Sequence, residues 1–302
     1  MRYGVPYQGN KSPIADWLAE QIPSAENFYD MFAGGFAVTH RMVLERRHRR
    51  FFANDINALS CRLFSDCVNG RAPKARWVSH EDFDRLKTTD GYAACCFSFG
   101  SDWQSYIYSS VLEPLKRALH HAIVDLDFTE TDALGIDLHY IAERPTIHAR
   151  MLAVRKVVKN RGGELQHLER LQNLERLESF ERLQNLTRLN TLDRLDSLAI
   201  TTGDYRDVRI EQNSIIYCDP PYNGTHGYGC RSFDHQAFYD WCRQQNELVL
   251  VSEYQMPDDF ETVSSKDRMD SKGANTRIVA KERLFIRKDQ REMYYDLNPT
   301  LF

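Results

Sequence analysis

An α/β fold on a largely parallel, doubly wound sheet, interrupted by an inserted region, is predicted by three observations. Short apolar runs at 28–30 and 51–56 are joined by a glycine turn and a helix, as in one half of such a sheet. The apolar run Ile215-Ile216-Tyr217-Cys218 stops at Asp219-Pro220-Pro221-Tyr222, the mark of a buried parallel strand ending in a stiff turn. From about residue 65 to 164 the strand–helix rhythm lapses. The expected division is therefore a sheet domain from 1–64 and 198–302, an insert at 65–164 and a repeat at 165–197.

The totals narrow the class. The chain has 302 residues, 42% hydrophobic and 27% charged, enough for one large domain and a smaller one. No apolar run reaches membrane-spanning length and Met1-Arg2-Tyr3 begins no signal peptide, so a cytoplasmic protein without a membrane partner is expected. The seven cysteines include no C-x-x-C pair and read as reduced thiols, with no metal site. A net charge of −4 weighs against nucleic acid as a partner, although phosphate contacts are made by one face rather than by the sum.

In chain order, Tyr7-Gln8-Gly9-Asn10-Lys11-Ser12-Pro13 precedes the periodic positions Ile14, Trp17, Leu18 and Ile22. Ser12 is the expected helix cap, with Pro13 in the first turn. The strand Phe28–Asp30 leads through Phe32, Gly34 and Gly35 to a helix ending near Arg46. Twenty residues past Gly35, the second strand ends in Asp55, an acid placed to accept bonds from ribose hydroxyls. G-x-G-x-x-G is absent, so a nucleoside without phosphates, such as S-adenosylmethionine, fits better than a dinucleotide. The run Arg46-Arg47-His48-Arg49-Arg50 reads as a solvated helix end, with a DNA contact as the alternative.

Within the insert, Ser79-x-x-Asp82 opens a helix. The stretch Ala93–Tyr108 carries Phe97, Phe99, Trp103, Tyr106 and Tyr108, and Arg150, Arg155, Lys156, Lys159 and Arg161 follow on or after a helix. Aromatics with a basic helix suit nucleic-acid contact; a small core under a solvated helix face explains them equally well.

From 165 to 198 a hexad repeats, with leucine, or Phe180 once, at every third position. In an α-helix this spacing drifts by about 60° per step, so a 3₁₀-like, polyproline-like or solenoid coil is favoured over an amphipathic helix. A long helix stays open, since the composition favours one. The repeat is expected to act as a spacer or protein-partner surface. After it come a strand from Leu198 reaching Asp204-Tyr205, the Asp-Pro-Pro-Tyr strand, a helix at 235–244 and a strand at 248–254. Strand material at 277–280 and 283–286 closes the sheet.

Both Asp219 and Pro220 precede a proline and are held extended. A carboxylate, a rigid carbonyl and the Tyr222 ring at a strand's carboxyl end form a site for a planar molecule bearing an amino group. An ordinary strand-ending turn is the plain alternative.

These motifs together resemble the DNA adenine-N6 methyltransferases of the Dam type, over residues 1 to about 64 and 198 to about 290. The resemblance implies a Rossmann-like S-adenosylmethionine-dependent methyltransferase sheet acting on double-stranded DNA, with Asp219, Pro220, Pro221 and Tyr222 as the catalytic motif. It places Tyr7 and Lys11 in the cofactor's methionine pocket, Asp30, Phe32, Gly34 and Gly35 in the cofactor loop, and Asp55 at the ribose. Asp204 and Tyr205 would flank the adenine of the cofactor. Lys281-Glu282-Arg283-Leu284-Phe285 is similar to the tail of phage and prophage members. Phe36 stands where the family pattern puts its last glycine, which predicts a tilted loop and weaker cofactor affinity. Methylation of RNA adenine or another planar amine, and a DNA-binding protein with a residual cofactor pocket, are the rival readings.

Overall fold

The computed structural model describes residues 3–161, 178–189, 197–222, 233–271 and 277–298. The chain divides into two compact units, Met1–Val5 with Gly9–Asn69 and Thr191–Phe302, and Pro6–Gln8 with Gly70–Asn190.

The first unit is a mixed α/β structure on a seven-stranded sheet. Its strands are β1 (Asn27–Asp30), β2 (Arg50–Asp55), β3 (Leu198–Thr202), β4 (Ser214–Cys218), β5 (Leu248–Glu253), β6 (Phe260–Ser271) and β7 (Arg277–Arg287). They lie in the order β3-β2-β1-β4-β5-β7-β6, a sheet that fits a methyltransferase fold. Neighbours from β3 through β5 pair in parallel, and β7 runs antiparallel to both β5 and β6. Every residue of β1, β4 and β5 is buried, as expected of parallel strands covered on both faces. Tyr29, Ile216, Val249 and Phe285 contribute to one core cluster, against which Phe238 of the helix His235–Gln244 packs.

The strand order reverses between β1 and β4, and Asp30 stands beside Tyr217 there. That places the carboxyl ends of β1, β2 and β4 around the position where open α/β sheets bind ligands.

Several local expectations hold. Ser79 accepts the Asp82 N–H at 3.1 Å and caps the helix His80–Leu86. The helix His235–Gln244 falls where it was expected, capped by Asp234. All six cysteines among the described residues are buried free thiols. Others are corrected. The Ser12 hydroxyl accepts the Tyr3 N–H at 2.7 Å and caps no helix; a short 3₁₀ turn begins there and the α-helix starts at Ala15. The basic run after Glu45 is solvated only in part: Arg46 and Arg49 are exposed, and the others are anchored. His48 is buried between Phe28 and Phe51, and Arg50 bonds Asn27 and Glu211. The C-terminal strand material forms one continuous strand, β7, and its hairpin partner β6 was not anticipated.

The second unit is helical, with helices at His80–Leu86, Gly91–Cys96, Glu113–Val124, Thr129–Ala133, Ile147–Arg161 and Glu178–Arg188. Between them, Phe97 and Phe99 pair with Ile107 and Ser105 in a short hairpin-like turn. Most aromatics of this stretch are core: Phe97, Trp103 and Tyr108 are buried, while Phe99 is 67% exposed.

The hexad repeat requires a correction where it is described. Residues Glu178–Arg188 are an α-helix, and this part of the repeat belongs to the second unit. Phe180, Leu183, Leu186 and Leu189 are all buried. Over three steps the drift sweeps about half the circumference, and Ser179 and Arg182 are buried with them, so the buried arc is wide enough to hold every third residue. Phe180, the one break in the leucine row, enters a core cluster with Leu119, Ile123, Ile141 and Val154. The rest of the repeat lies outside the described residues.

Candidate active site

The site begins with the loop after β1. The chain at Tyr3–Val5 closes over that loop: the Val5 N–H donates to the Gly35 carbonyl at 2.7 Å, and the Gly4 N–H to His40 Nδ1 at 3.0 Å. Asp55 at the end of β2 grips the loop from the other side, accepting the Gly34 N–H at 2.7 Å and the Asn57 N–H at 2.8 Å. Burial raises its carboxyl, against the pull of those two amides. Phe36 adopts the left-handed backbone, φ 60, that a glycine would take, and its ring stacks on Phe64 at 4.4 Å in the core. The ring points away from the loop, so the steric reason for an expected tilt falls.

Asp30 is the unusual group here. One oxygen accepts from the Thr39 backbone at 3.1 Å and hydroxyl at 2.6 Å. The other, Oδ1, is buried without a hydrogen-bond partner. Burial pushes this carboxyl up to about 7, opposed by the Thr39 hydroxyl and reinforced by the charge of Asp219. A buried carboxylate oxygen with nothing donating to it is costly unless a ligand donor or cation completes it.

Asp219 follows β4 and meets three other side chains. Lys11 Nζ lies 2.8 Å from Asp219 Oδ1 and 3.4 Å from Glu282 Oε1 of β7. The same ammonium sits 4.7 Å from the centre of the Tyr222 ring, and the Tyr222 hydroxyl donates to Glu282. Lys11, expected in the cofactor's methionine pocket, lies on the carboxylate of the Asp-Pro-Pro-Tyr turn. Burial pushes Asp219 up to about 6, with Lys11 pulling it down and Glu282 pushing it up. His235 Nε2 holds the Pro221 carbonyl at 2.9 Å, and Tyr254 at the end of β5 packs edge-on to Tyr222 at 4.6 Å. Beside Tyr254 opens a cleft of about 380 Å³ lined also by Tyr239, Glu253, Gln255, Met256 and Pro257.

The remaining predicted residues separate. Tyr205 packs with Phe32 at 5.0 Å and with Phe238, forming an aromatic wall near the loop. Asp204 turns to Arg206, which donates to both its oxygens and lowers its carboxyl. Tyr7 belongs to the second unit, edge-on to Trp103 at 5.6 Å. On the basic helix, Arg150 donates to the Ile123 and Val124 carbonyls at 3.0 and 3.3 Å, ending the helix Glu113–Val124. Arg155 pairs with Glu181, and Lys156 is exposed. The guanidiniums of Arg150 and Arg155 are thus engaged inside the unit. The side chains of Lys159 and Arg161 lie outside what the structure describes.

Residues 7–93 match the model of the family described as D12 class N6 adenine-specific DNA methyltransferase. That N-terminal stretch, which carries the glycine loop and Asp55 but not the Asp-Pro-Pro-Tyr turn, is similar to the family that the sequence resembles. The match supports DNA adenine methylation as the chemistry of the chain. No curated protein matches the chain significantly. Among the described residues no cluster of side chains could hold a metal ion, and no helix is long and apolar enough to cross a membrane.

Glu282, His235, Gly4 and Tyr254 were not singled out as site residues. Glu282 stood in the quoted tail segment, but nothing in a linear sequence says that it meets Lys11. Gly4 carried no signal beyond being a glycine.

Proposed function

We propose that the protein transfers a methyl group from S-adenosylmethionine to N6 of an adenine flipped out of double-stranded DNA, on a Rossmann-like sheet. The observation that carries this reading is the Asp219 carboxylate at the carboxyl end of β4, beside the strand-order reversal and held by Lys11.

The residues around β1 and β2 fit the cofactor. The orphaned Asp30 oxygen and the carboxylates of Asp55 and Asp219 make an acidic surround for a cationic nucleoside, and Gly34 and Gly35 let the backbone approach it. Asp55 suits the ribose, while Phe32 and Tyr205, tilted 39° to each other, offer aromatic surface for a purine. When bound, S-adenosylmethionine supplies an electrophilic sulfonium methyl.

The amino group of adenine is a poor nucleophile, because its lone pair is delocalised into the ring. Asp219 and the Pro220 carbonyl accept its two N–H hydrogens and favour a pyramidal nitrogen with the lone pair free. His235 steadies the turn through Pro221, so these acceptors are fixed before reaction. Asp219, raised to about 6, is matched to take the proton that the nitrogen sheds after attack. Tyr222 offers its ring face to the base, and stacking offsets part of the few kcal/mol, roughly, that flipping costs. The second unit, with its aromatic hairpin, is assigned to target recognition.

The test is direct. Purified protein incubated with plasmid DNA and S-adenosylmethionine should yield N6-methyladenine in a nucleoside digest weighed by mass spectrometry. Methylation of RNA alone, or of no base by a protein that binds the cofactor, would overturn the reading.

A further inference from the structure

Glu282 is 1% exposed, on a strand that enters the sheet antiparallel to the rest of the site. Burying a second carboxylate beside Asp219 is costly, and an apolar residue of similar size would serve the fold as well or better. Its surroundings give it another use. Its carboxylate accepts the Tyr222 hydroxyl and lies 3.4 Å from the Lys11 ammonium, which reaches Asp219 on its other side. The chain Tyr222–Glu282–Lys11–Asp219 thus joins the ring and the carboxylate of the turn through two residues remote from it in sequence. Resting on the function proposed above, we propose that Glu282 is a positioning residue: it orients the Tyr222 ring toward the substrate base and holds Lys11 so that its ammonium stays shared between two carboxylates.

Two consequences separate this role from simple packing. The first is an effect on turnover rather than on affinity. Tyr222 would keep its ring without Glu282 but lose its fixed direction, so chemistry suffers while cofactor binding around Asp30 and Asp55 does not. The second is electrostatic. Asp219 is faced by Lys11 from the N-terminal segment, Glu282 from β7, Asp30 from β1, Tyr217 from β4 and Tyr222 from its own turn. Glu282 raises the Asp219 carboxyl and Lys11 lowers it. Neutralising Glu282 leaves Lys11 less opposed, and Asp219 must then ionise at lower pH.

The experiment compares wild type with Glu282→Gln and Tyr222→Phe by steady-state methylation across pH. Cofactor binding and thermal melting serve as folding controls. Glu282→Gln should lower kcat on the order of ten- to a hundredfold, with KM for S-adenosylmethionine within about threefold. The acid limb of its kcat/KM profile should move to lower pH. Tyr222→Phe leaves Glu282 in place and removes a hydroxyl that lowers the Asp219 carboxyl, so it should lower kcat with no move of the limb to lower pH; the double variant should lose less than the product of the two. Unchanged kcat and an unmoved acid limb in a folded Glu282→Gln protein would overturn the proposal. So would a limb displaced to higher pH. If Glu282→Gln does not fold, an undiminished kcat in Tyr222→Phe overturns it, because the hydroxyl that Glu282 holds would then be idle; a reduced one supports it. A wild type that methylates no adenine overturns the underlying function, a result distinct from all of these because it precedes any variant.

Discussion

A methyl group on Gly4 would lie 2.0 Å from the Gly35 carbonyl oxygen and 2.7 Å from the Ala37 amide. The residue also holds φ +67, the left-handed region. Both facts tie the N-terminal segment to the cofactor loop, so Gly4→Ala is expected to cost at least about 1 kcal/mol from backbone alone. Displacement of Gly35 should add weaker cofactor affinity. Calorimetric titration with S-adenosylmethionine and a thermal melt check both; an unchanged melt with unchanged affinity would refute the close approach. At this scale the sequence was informative where a residue's chemistry acts locally. Asp219 before two prolines, and Asp55 after a strand, could be read because neighbours along the chain fix their geometry. The ion pairs of Lys11 could not be read, since its partners Asp219 and Glu282 are more than 200 residues away. Phe36 illustrates the same limit. Its bulk looked like an obstacle in the loop, and only the packing against Phe64 shows where the ring goes.

Among the elements, the helix Glu178–Arg188 has the clearest structural duty. Arg182, nearly buried, donates to the carbonyls of Cys95, Cys96 and Ser98, at the end of the helix Gly91–Cys96 and the start of the aromatic hairpin. Replacing it by methionine leaves those carbonyls short of donors in a low-dielectric setting. Arg182→Met should therefore destabilise the second unit by about 1–3 kcal/mol. Urea denaturation followed through Trp77 and Trp103 fluorescence reads this; a midpoint unchanged from wild type would contradict it. The period-three spacing misled because it is poor for a long helix exposed on one side. A helix of three turns buried round half its girth does not need a narrow stripe. Strand β6 escaped notice for the opposite reason. Its run Ser264-Ser265-Lys266-Asp267 lacks the apolar signature of a covered strand, as suits a sheet edge, and only pairing with β7 defines it. Strands β1, β4 and β5, buried on both faces, were legible throughout.

Over the whole molecule, acid should act unevenly. Burial holds His40 and His48 of the first unit and His120 of the second at about 4, against an ordinary 6.5. The unfolded chain takes up those protons first. The stability they contribute is complete above about 6.5 and is lost as pH falls toward 4. Asp30 and Asp219, raised to about 7 and about 6, work the other way: the fold binds their protons first, and their burial costs most when pH rises through those values. The two sets oppose each other in the first unit. In the second, His120 meets no raised carboxyl among the described residues, and Asp82, Asp84 and Asp127, lowered by their partners, add their loss only below the ordinary carboxylate value of 3.8. Between pH 6.5 and 4 the second unit should loosen before the first, measured as amide hydrogen exchange corrected for intrinsic rates. Equal loss in both would contradict this balance. The division itself was partly legible. The lapse in strand–helix rhythm marked the second unit, but its far boundary lies at Asn190, because a third core-forming helix was hidden within the repeat.

The central claim is that Asp219 makes an adenine amino group reactive toward a bound methyl donor. The measurement that tests it most directly is single-turnover methylation of duplex DNA by Asp219→Ala beside wild type, with cofactor affinity measured on both proteins. The account predicts at least on the order of a hundredfold loss of N6-methyladenine formation, with cofactor binding kept within about tenfold. Methylation at the wild-type rate in Asp219→Ala would contradict it.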